Sequence, residues 1–248
     1  MAWAEGENRP SQRVRTAGDS ISVDYGFTNF NDDRLTISYS LKKSALAAYE
    51  ARYGYTQAEA RAAADVRAYM SSRGFRMLQG NVVIPDMPKI VKENTVLLKP
   101  VATAFDGVAQ QRHYDQADLI GAVASLAQTA MEYRVPEPVV GQKHTGGILP
   151  PVSALLRGWG DCDTKSGVIA SILSNWPHMR LVGIGPPGHY LIGVLRIPNK
   201  GDLFVEYQGL QYVLIEAAGP AWLPPGTVAD STQDLLAGAD GYRIEPFF

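Results

Sequence analysis

A chain of 248 residues whose only cysteine is Cys162 has no covalent help in folding. A lone thiol forms no intrachain disulfide and builds no multi-cysteine zinc site, so the fold has to rest on a buried apolar core. The composition supplies one, with 46% hydrophobic and 19% charged residues. Those proportions exclude a disordered chain, and 24 Gly and 16 Pro without a period exclude collagen and predict many loops. The formal charge of -2, from 23 Lys+Arg against 25 Asp+Glu, gives no field that would gather nucleic acid or an acidic membrane surface. The longest stretch without a charged residue, 181–195, is too short and too broken by Pro186-Pro187 to span a bilayer, so no transmembrane segment is expected.

Residues 1–20 are polar and read as a flexible arm. Within them Ala2-Trp3-Ala4 looks like the remnant of a signal-cleavage site, the mark of a soluble, exported or periplasmic protein with its signal peptide removed. Alternation of apolar and polar residues over 21–25 and 35–41, around Asn29-Phe30-Asn31-Asp32-Asp33, predicts a half-buried β-hairpin. The Ala-rich segments 44–53 and 56–73 follow as helices, the second opened by the Thr56-Gln57-Ala58-Glu59 capping box and stopped at Gly74. Residues 75–84 and 95–105 read as strands on either side of a Pro85–Pro88 turn, completing an N-terminal α+β unit over 21–112.

The second section, 113–248, opens with Leu119, Ile120, Val123, Leu126, Ala127, Ala130 and Met131 at helical spacing. They predict a long buried helix over 115–133, with Pro136 beyond its end. A loop holding Gly146-Gly147 and a short helix over 152–157 lead to Gly158-Trp159-Gly160. Asp161 then caps a helix over 162–175, and strands are expected at 181–184, 189–197, 203–207 and 212–216.

Cys162 in the first turn of a helix meets free N–H groups and the positive end of the dipole, which favour thiolate over thiol. The flanking Gly158 and Gly160 leave it reachable, and the first-turn N–H groups suit a tetrahedral oxyanion. His189 stands at the mouth of an apolar strand, and Glu216 at the end of another, where a carboxylate needs a partner. An imidazole is such a partner, so nucleophile, base and orienting carboxylate would be Cys162, His189 and Glu216. A plain three-stranded meander would part the last two. They share a rim only if 198–209 is an excursion and the strands of His189 and Glu216 pair antiparallel. Taken singly, each has a plainer reading: a small buried hydrophobe, a satisfied strand-end histidine and a rim carboxylate.

The order helix, Trp-Gly-Asp-Cys-Asp, helix, strand, Gly-His, apolar strand, Tyr-x-x-x-Glu over residues 115–222 resembles the transglutaminase-like superfamily in its bacterial cysteine-peptidase-like branch. Members of that branch resemble papain with a different chain order. The most specific piece is Gly158-Trp159-Gly160-Asp161-Cys162-Asp163 running into an apolar helix. The resemblance implies an α+β fold, with a papain/transglutaminase-like core whose nucleophile helix packs on an antiparallel sheet, preceded by the N-terminal α+β unit. It assigns Cys162 as nucleophile, His189 as general base and Glu216 as third member of the triad. The chain departs from many relatives at Tyr190, where Ala-Trp follows the His, and at Glu216, where Asp is common. Lys165 stands where small or acidic residues are common and is expected to snorkel to solvent. Trp159, Asp161 and Tyr190 border the centre as candidates to face substrate or oxyanion, with core packing the commoner role for the two aromatics.

The expected function is cysteine-dependent cleavage of an amide in a peptide or protein, with transamidation open and hydrolysis favoured by the resemblance, and with no cofactor and no metal. The other reading is a non-catalytic module on the same fold that holds a peptide or cell-wall fragment. Gly183-Ile184-Gly185-Pro186-Pro187-Gly188 imitates the glycine pattern of dinucleotide sites, but a strand follows it where a helix N-terminus is required. His113, His144 and His178 lack metal-ligand spacing, and Gly146-Gly147 reads as an ordinary loop rather than a lid.

Overall fold

The computed structural model describes residues 10–29, 31–219 and 222–248; Ala2-Trp3-Ala4 and Phe30 lie outside the described residues. Strands β1 (Ser11–Ala17), β2 (Ser20–Thr28) and β3 (Arg34–Lys42) form a three-stranded antiparallel sheet in that order. The arm expected over 1–20 therefore gives way to a strand from Ser11 onward, paired with β2 from Ser11↔Gly26 to Ala17↔Ser20. Every residue of β1 is exposed, so it is held by backbone pairing and by polar side chains, chiefly Gln12, whose amide donates to the Tyr25 hydroxyl at 2.8 Å and the Leu155 carbonyl at 2.7 Å, and its sequence carries no apolar alternation to betray it. In β2 and β3, Val23, Tyr25, Phe27, Leu35 and Ile37 turn inward from alternate positions.

Helices α1 (Lys43–Arg52), α2 (Gln57–Ala62) and α3 (Val66–Ser72) follow. The single helix expected over 56–73 is divided, because Ala63 turns extended and the Asp65 side chain caps a new helix at the Ala68 N–H. The strand expected over 75–84 is a short hairpin, β4 (Phe75–Met77) with β5 (Val83–Pro85). The strand expected over 95–105 is helical instead, divided between α4 (Met87–Leu97) and α5 (Lys99–Arg112). Pro88 and Pro100 sit in the first turns of these helices, where a missing N–H is no loss. The buried positions Ile90, Val91, Asn94, Leu98, Val101, Ala102 and Phe105 recur at the helical period, which outweighs the β-branched content of the segment.

Helix α6 (Gln116–Ser125) runs into a π turn, Leu126–Ala130, and the chain is extended by β6 (Glu132–Tyr133), so the expected helix stops short of residue 133. A small hairpin of β7 (Val139–Val140) and β8 (Lys143–His144) precedes α7 (Pro151–Arg157), which Gly158 ends in the left-handed conformation. Then β9 (Trp159–Gly160) pairs parallel with β6 and leads directly into α8 (Cys162–Leu173). The remaining elements are β10 (Leu181–Gly185), β11 (Leu191–Leu195), β12 (Phe204–Tyr207), β13 (Leu210–Ile215), α9 (Asp230–Ala237) and β14 (Arg243–Pro246). They build a five-stranded antiparallel sheet in the order β12-β13-β11-β10-β14.

The chain is an α+β protein in which α8, buried at every residue except Asp163, lies against one face of that sheet. Ile192, Val194, Val213 and Ile215 supply the sheet's side of this contact, and they share one continuous core with Ile120, Phe105 and the inner residues of β2 and β3. The sections on either side of residue 112 thus share a core. The intervening strand positions Leu191, Tyr212 and Leu214 point to the opposite face and pack with Val182, Ile184 and Val228. Among the described residues no helix is long and apolar enough to cross a membrane.

One buried side chain couples α4 to the approach to α8. Helix α7 has no side-chain cap of its own. Asn94, fully buried on α4, accepts from the Val152 N–H through Oδ1 at 3.1 Å and donates from Nδ2 to the Ile90 carbonyl at 2.9 Å. Asn94→Leu leaves that first-turn N–H unmet in the core. It is expected to lower stability by about 1–3 kcal/mol, read as a lower urea midpoint with unchanged slope.

Candidate active site

Ile192 of β11 faces Ile215 of β13 across an antiparallel ladder, so the start of one strand and the end of the other lie on a common rim. β12 pairs with the outer edge of β13 instead of coming between them, which makes 198–209 the excursion that this adjacency needs. β11 begins at Leu191 rather than 189. His189 stands just ahead of it in a turn closed by its own N–H on the Pro186 carbonyl at 3.2 Å.

Glu216, 2% exposed, follows β13 and is met from several sides. Its Oε1 accepts from His189 Nε2 at 3.1 Å and from the Ala217 and Ala218 N–H groups at 3.1 and 3.2 Å. Its Oε2 accepts from Thr232 Oγ1 of α9 at 2.8 Å. Burial pushes the carboxyl up, but the bond and charge of His189, then Thr232 and the Ala218 N–H, outweigh it and hold the group below the usual carboxylate range. A carboxylate can only accept, so His189 Nε2 carries a proton, and Nδ1 is the ring atom left to exchange one with a partner.

Two of the residues fixing Glu216 had no signal strong enough to single them out. Gln128, in the π turn, donates from Nε2 to the Glu216 carbonyl at 2.6 Å and the Leu223 carbonyl at 3.1 Å, and accepts from the Leu223 N–H at 3.2 Å. Its only sequence mark is an amide in an otherwise apolar helical run. Thr232 has no mark, because its role depends on a fold-back of α9.

Cys162 opens α8 behind Asp161, whose Oδ1 accepts from the Thr164 N–H at 3.1 Å as an N-cap should. The expectation of a reachable cysteine favouring the thiolate is corrected here. Cys162 is 8% exposed, and its thiol is pushed up to about 12, first by burial and then by the charges of Asp163 and Asp161, against a bond from the Tyr190 N–H. The dipole of α8 is outweighed by the carboxylates on either side. Sγ donates to Asp163 Oδ1 at 3.5 Å, and the Tyr133 phenol, raised first by burial, is close enough for the thiol to push its titration up further. Among the described residues the thiol side chain bonds Asp163 and not the His189 ring. It reaches the His189–Glu216 pair through neighbours: Tyr190, whose N–H it meets, is next in sequence to His189, and Asp163 feels the His189 charge. Asp163 and Tyr133 were not foreseen as site residues, although Asp163 lies within the motif and Tyr133 is brought in only by the pairing of β6 with β9.

Lys165 does not snorkel to solvent. It is fully buried and donates from Nζ to the Met131 carbonyl at 2.8 Å, where the π turn gives way to β6. Burial pushes it down to about 8 against the pull of Asp161 and Glu132. Tyr190 packs in the same apolar cluster as Cys162, and its hydroxyl donates to Glu245 Oε2 at 2.6 Å. Trp159 is half-buried outside the core, with the Arg134 guanidinium 4.6 Å above its ring. His113 ends α5, His144 stacks on Tyr55 and His178 is exposed. The loop of Gly146-Gly147 is tied by the Tyr53 hydroxyl on the Thr145 carbonyl at 2.9 Å.

Thr232→Val tests the hold on Glu216. Loss of a bond to a charged acceptor is expected to lower stability near pH 7 by about 1.5–3 kcal/mol. Because the folded-state value of Glu216 is lowered, its contribution is present above the ordinary value of 4.5 and lost as pH falls through the folded value. The variant brings that folded value back toward 4.5, so it loses its remaining contribution at a higher pH than the parent does. Urea titrations at stepped pH read both effects. Compared with protein-family models, curated proteins and solved structures, the chain matches none.

Proposed function

We propose that the protein is a cysteine-dependent acyl-transfer enzyme of the transglutaminase-like cysteine-peptidase kind, acting on an amide of a peptide or protein. The observation that carries this reading is the His189–Glu216 pair, a buried carboxylate clamping Nε2 of a histidine whose other nitrogen is free to take a proton. Cys162, at the start of α8 beside the Tyr190 N–H, is the nucleophile that this base would serve.

In the reaction, Sγ turns from Asp163 to His189 Nδ1, gives it the thiol proton and attacks the carbonyl carbon. The π pair of the carbonyl moves to oxygen, where first-turn N–H groups of α8 stabilise it. Collapse breaks the C–N bond, and the imidazolium returns the proton to the leaving amine. Water, deprotonated by the same imidazole, then attacks the thioester carbonyl; the C–S bond breaks, the acid leaves and the imidazolium returns its proton to Sγ. Glu216 orients the ring and stabilises its charged form throughout.

The test is the rate of Cys162 alkylation by iodoacetamide against pH, unambiguous with one cysteine. The parent is expected to show a fast component near pH 7 that falls by about a hundredfold in His189→Ala and about tenfold in Glu216→Gln. Slow labelling, identical in parent and His189→Ala, would overturn the reading and leave a module that binds without chemistry.

A second variant follows from the charge around the thiol. Asp163 is the largest electrostatic cause of the raised thiol, so removing its charge lowers the thiol's titration and increases the thiolate at any pH below it. Asp163→Asn is therefore expected to label about tenfold faster near pH 7, the effect of moving that titration by one on the pH scale.

A further inference from the structure

The site's rim extends one strand beyond His189. β14 runs antiparallel to β10 with Arg243 opposite Gly185, so Arg243 stands where β10 ends and β11 is about to begin. Strands spaced about 4.8 Å apart put it roughly 10 Å along the rim from the β11 position. Arg243 and Glu245 alternate around Ile244, which packs on the far face of the sheet. Glu245 accepts from the Tyr190 hydroxyl, and Tyr190 packs with Cys162, so Arg243 and Glu245 lie on the side of the sheet that carries Cys162.

Gly183 and Gly185, opposite Glu245 and Arg243, clear this face. A Cβ at 183 would run into the Tyr190 phenol, and one at 185 would stand 3.0 Å from Cζ of Arg243. The glycines that imitate a dinucleotide fingerprint therefore make room for an aromatic ring and a guanidinium.

Arg76, from β4, and Arg243 both pair with Glu245, which is buried. Arg243 meets Glu245 through Nε alone, at 3.4 Å, and its side chain is 56% exposed. Among the described residues its two Nη groups have no hydrogen bond. The guanidinium lies 5.8 Å from the centroid of the Tyr190 ring and is close enough to Asp163 to favour that carboxylate. A planar fork held from behind, with its two outer nitrogens open beside the Tyr190 ring, matches the two oxygens of a carboxylate.

From this arrangement we infer that the cleft takes a substrate carrying a carboxylate near its scissile amide and that Arg243 holds that group; the inference rests on the acyl-transfer reading. The carboxylate belongs to an Asp or Glu side chain or to a peptide C-terminus, and the two sources are separable.

The probes are acetyl-Ala-Ala-Gly chloromethyl ketones with Asp, Asn or Lys replacing each residue in turn, scored by labelling of Cys162. In the parent, Asp at one position is expected to label about tenfold faster than Asn there, with Lys slowest. In Arg243→Gln the Asp/Asn ratio falls to about one, and in Arg243→Glu the order inverts toward Lys. The ratio, rather than the absolute rate, is the readout. For the terminal source, acetyl-Ala-Ala-Ala with a free carboxylate is compared with its amide as a protectant against iodoacetamide, and better protection by the acid assigns the group to the C-terminus.

Equal Asp and Asn rates at every position, together with equal protection by acid and amide, overturn the inference even if the Arg243 variants fail to fold, because both comparisons use the parent. His189-dependent iodoacetamide labelling in the same protein separates the two levels. If it is present without a charge preference, only the Arg243 assignment falls. If it is absent, the acyl-transfer reading falls and takes this inference with it.

Discussion

A carboxylate taken out of water is tolerated only where its lone pairs are met, and in this chain the meeting of Glu216 draws distant segments to one point. His189 comes from the turn before β11, the Ala217 and Ala218 N–H groups from the chain just after β13, and Thr232 from α9. Gln128 of the π turn holds the Glu216 carbonyl and the Leu223 backbone together. Without the tie at Thr232, α9 would rest on the apolar contact of Leu236 with the far face of the sheet. The chain then continues into β14, which closes the rim at Arg243. The group that best explains the architecture around the sheet is therefore also the one placed to govern an imidazole.

What could be read from the sequence follows how local its cause is. Helix α8 was legible because its cap, Asp161, and its apolar run are contiguous, and the pairing of β11 with β13 was legible because two polar ends of apolar strands needed each other. Segment 95–105 misled because Thr95, Val96 and Val101 favour strands by propensity, whereas burial at Leu98, Val101, Ala102 and Phe105 is decided by partners elsewhere. β1 and β14 were missed for opposite reasons. The first is an exposed edge with no apolar period, and the second is a short strand whose charged residues, Arg243 and Glu245, matter only beside Tyr190. Gln128, Thr232 and Tyr133 belong to the same class. A single polar residue has no period, so its meaning comes only from long-range contact.

Lys165 shows the same limit in energetic form. Its long side chain suggests an escape to solvent, yet it spends its charge inside, on the Met131 carbonyl and near Asp161. Asp161 has to be there, because the first turn of α8 is buried and its N–H groups need an acceptor. That acceptor also opposes a thiolate at the next residue, and Asp163 adds to the opposition. Helix stability and thiol ionisation thus pull against each other at the start of α8, with Lys165 offsetting part of the negative charge.

A thiol held neutral by its surroundings reacts only where a base takes its proton, since the thiolate is the reactive form. On the acyl-transfer reading, attack then requires proton transfer within the same step rather than from an ion pair already formed. Such a step makes heavy demands on the base. An imidazole held at Nε2 by a carboxylate is fixed in orientation, and the charge it gains on taking a proton is met where it sits. The raised thiol at Cys162 and the closely bonded carboxylate at Glu216 are therefore two halves of one requirement. A cysteine resting as a thiolate could make do with a weakly held histidine, whereas a protonated and covered one needs the base already held in place before the substrate arrives.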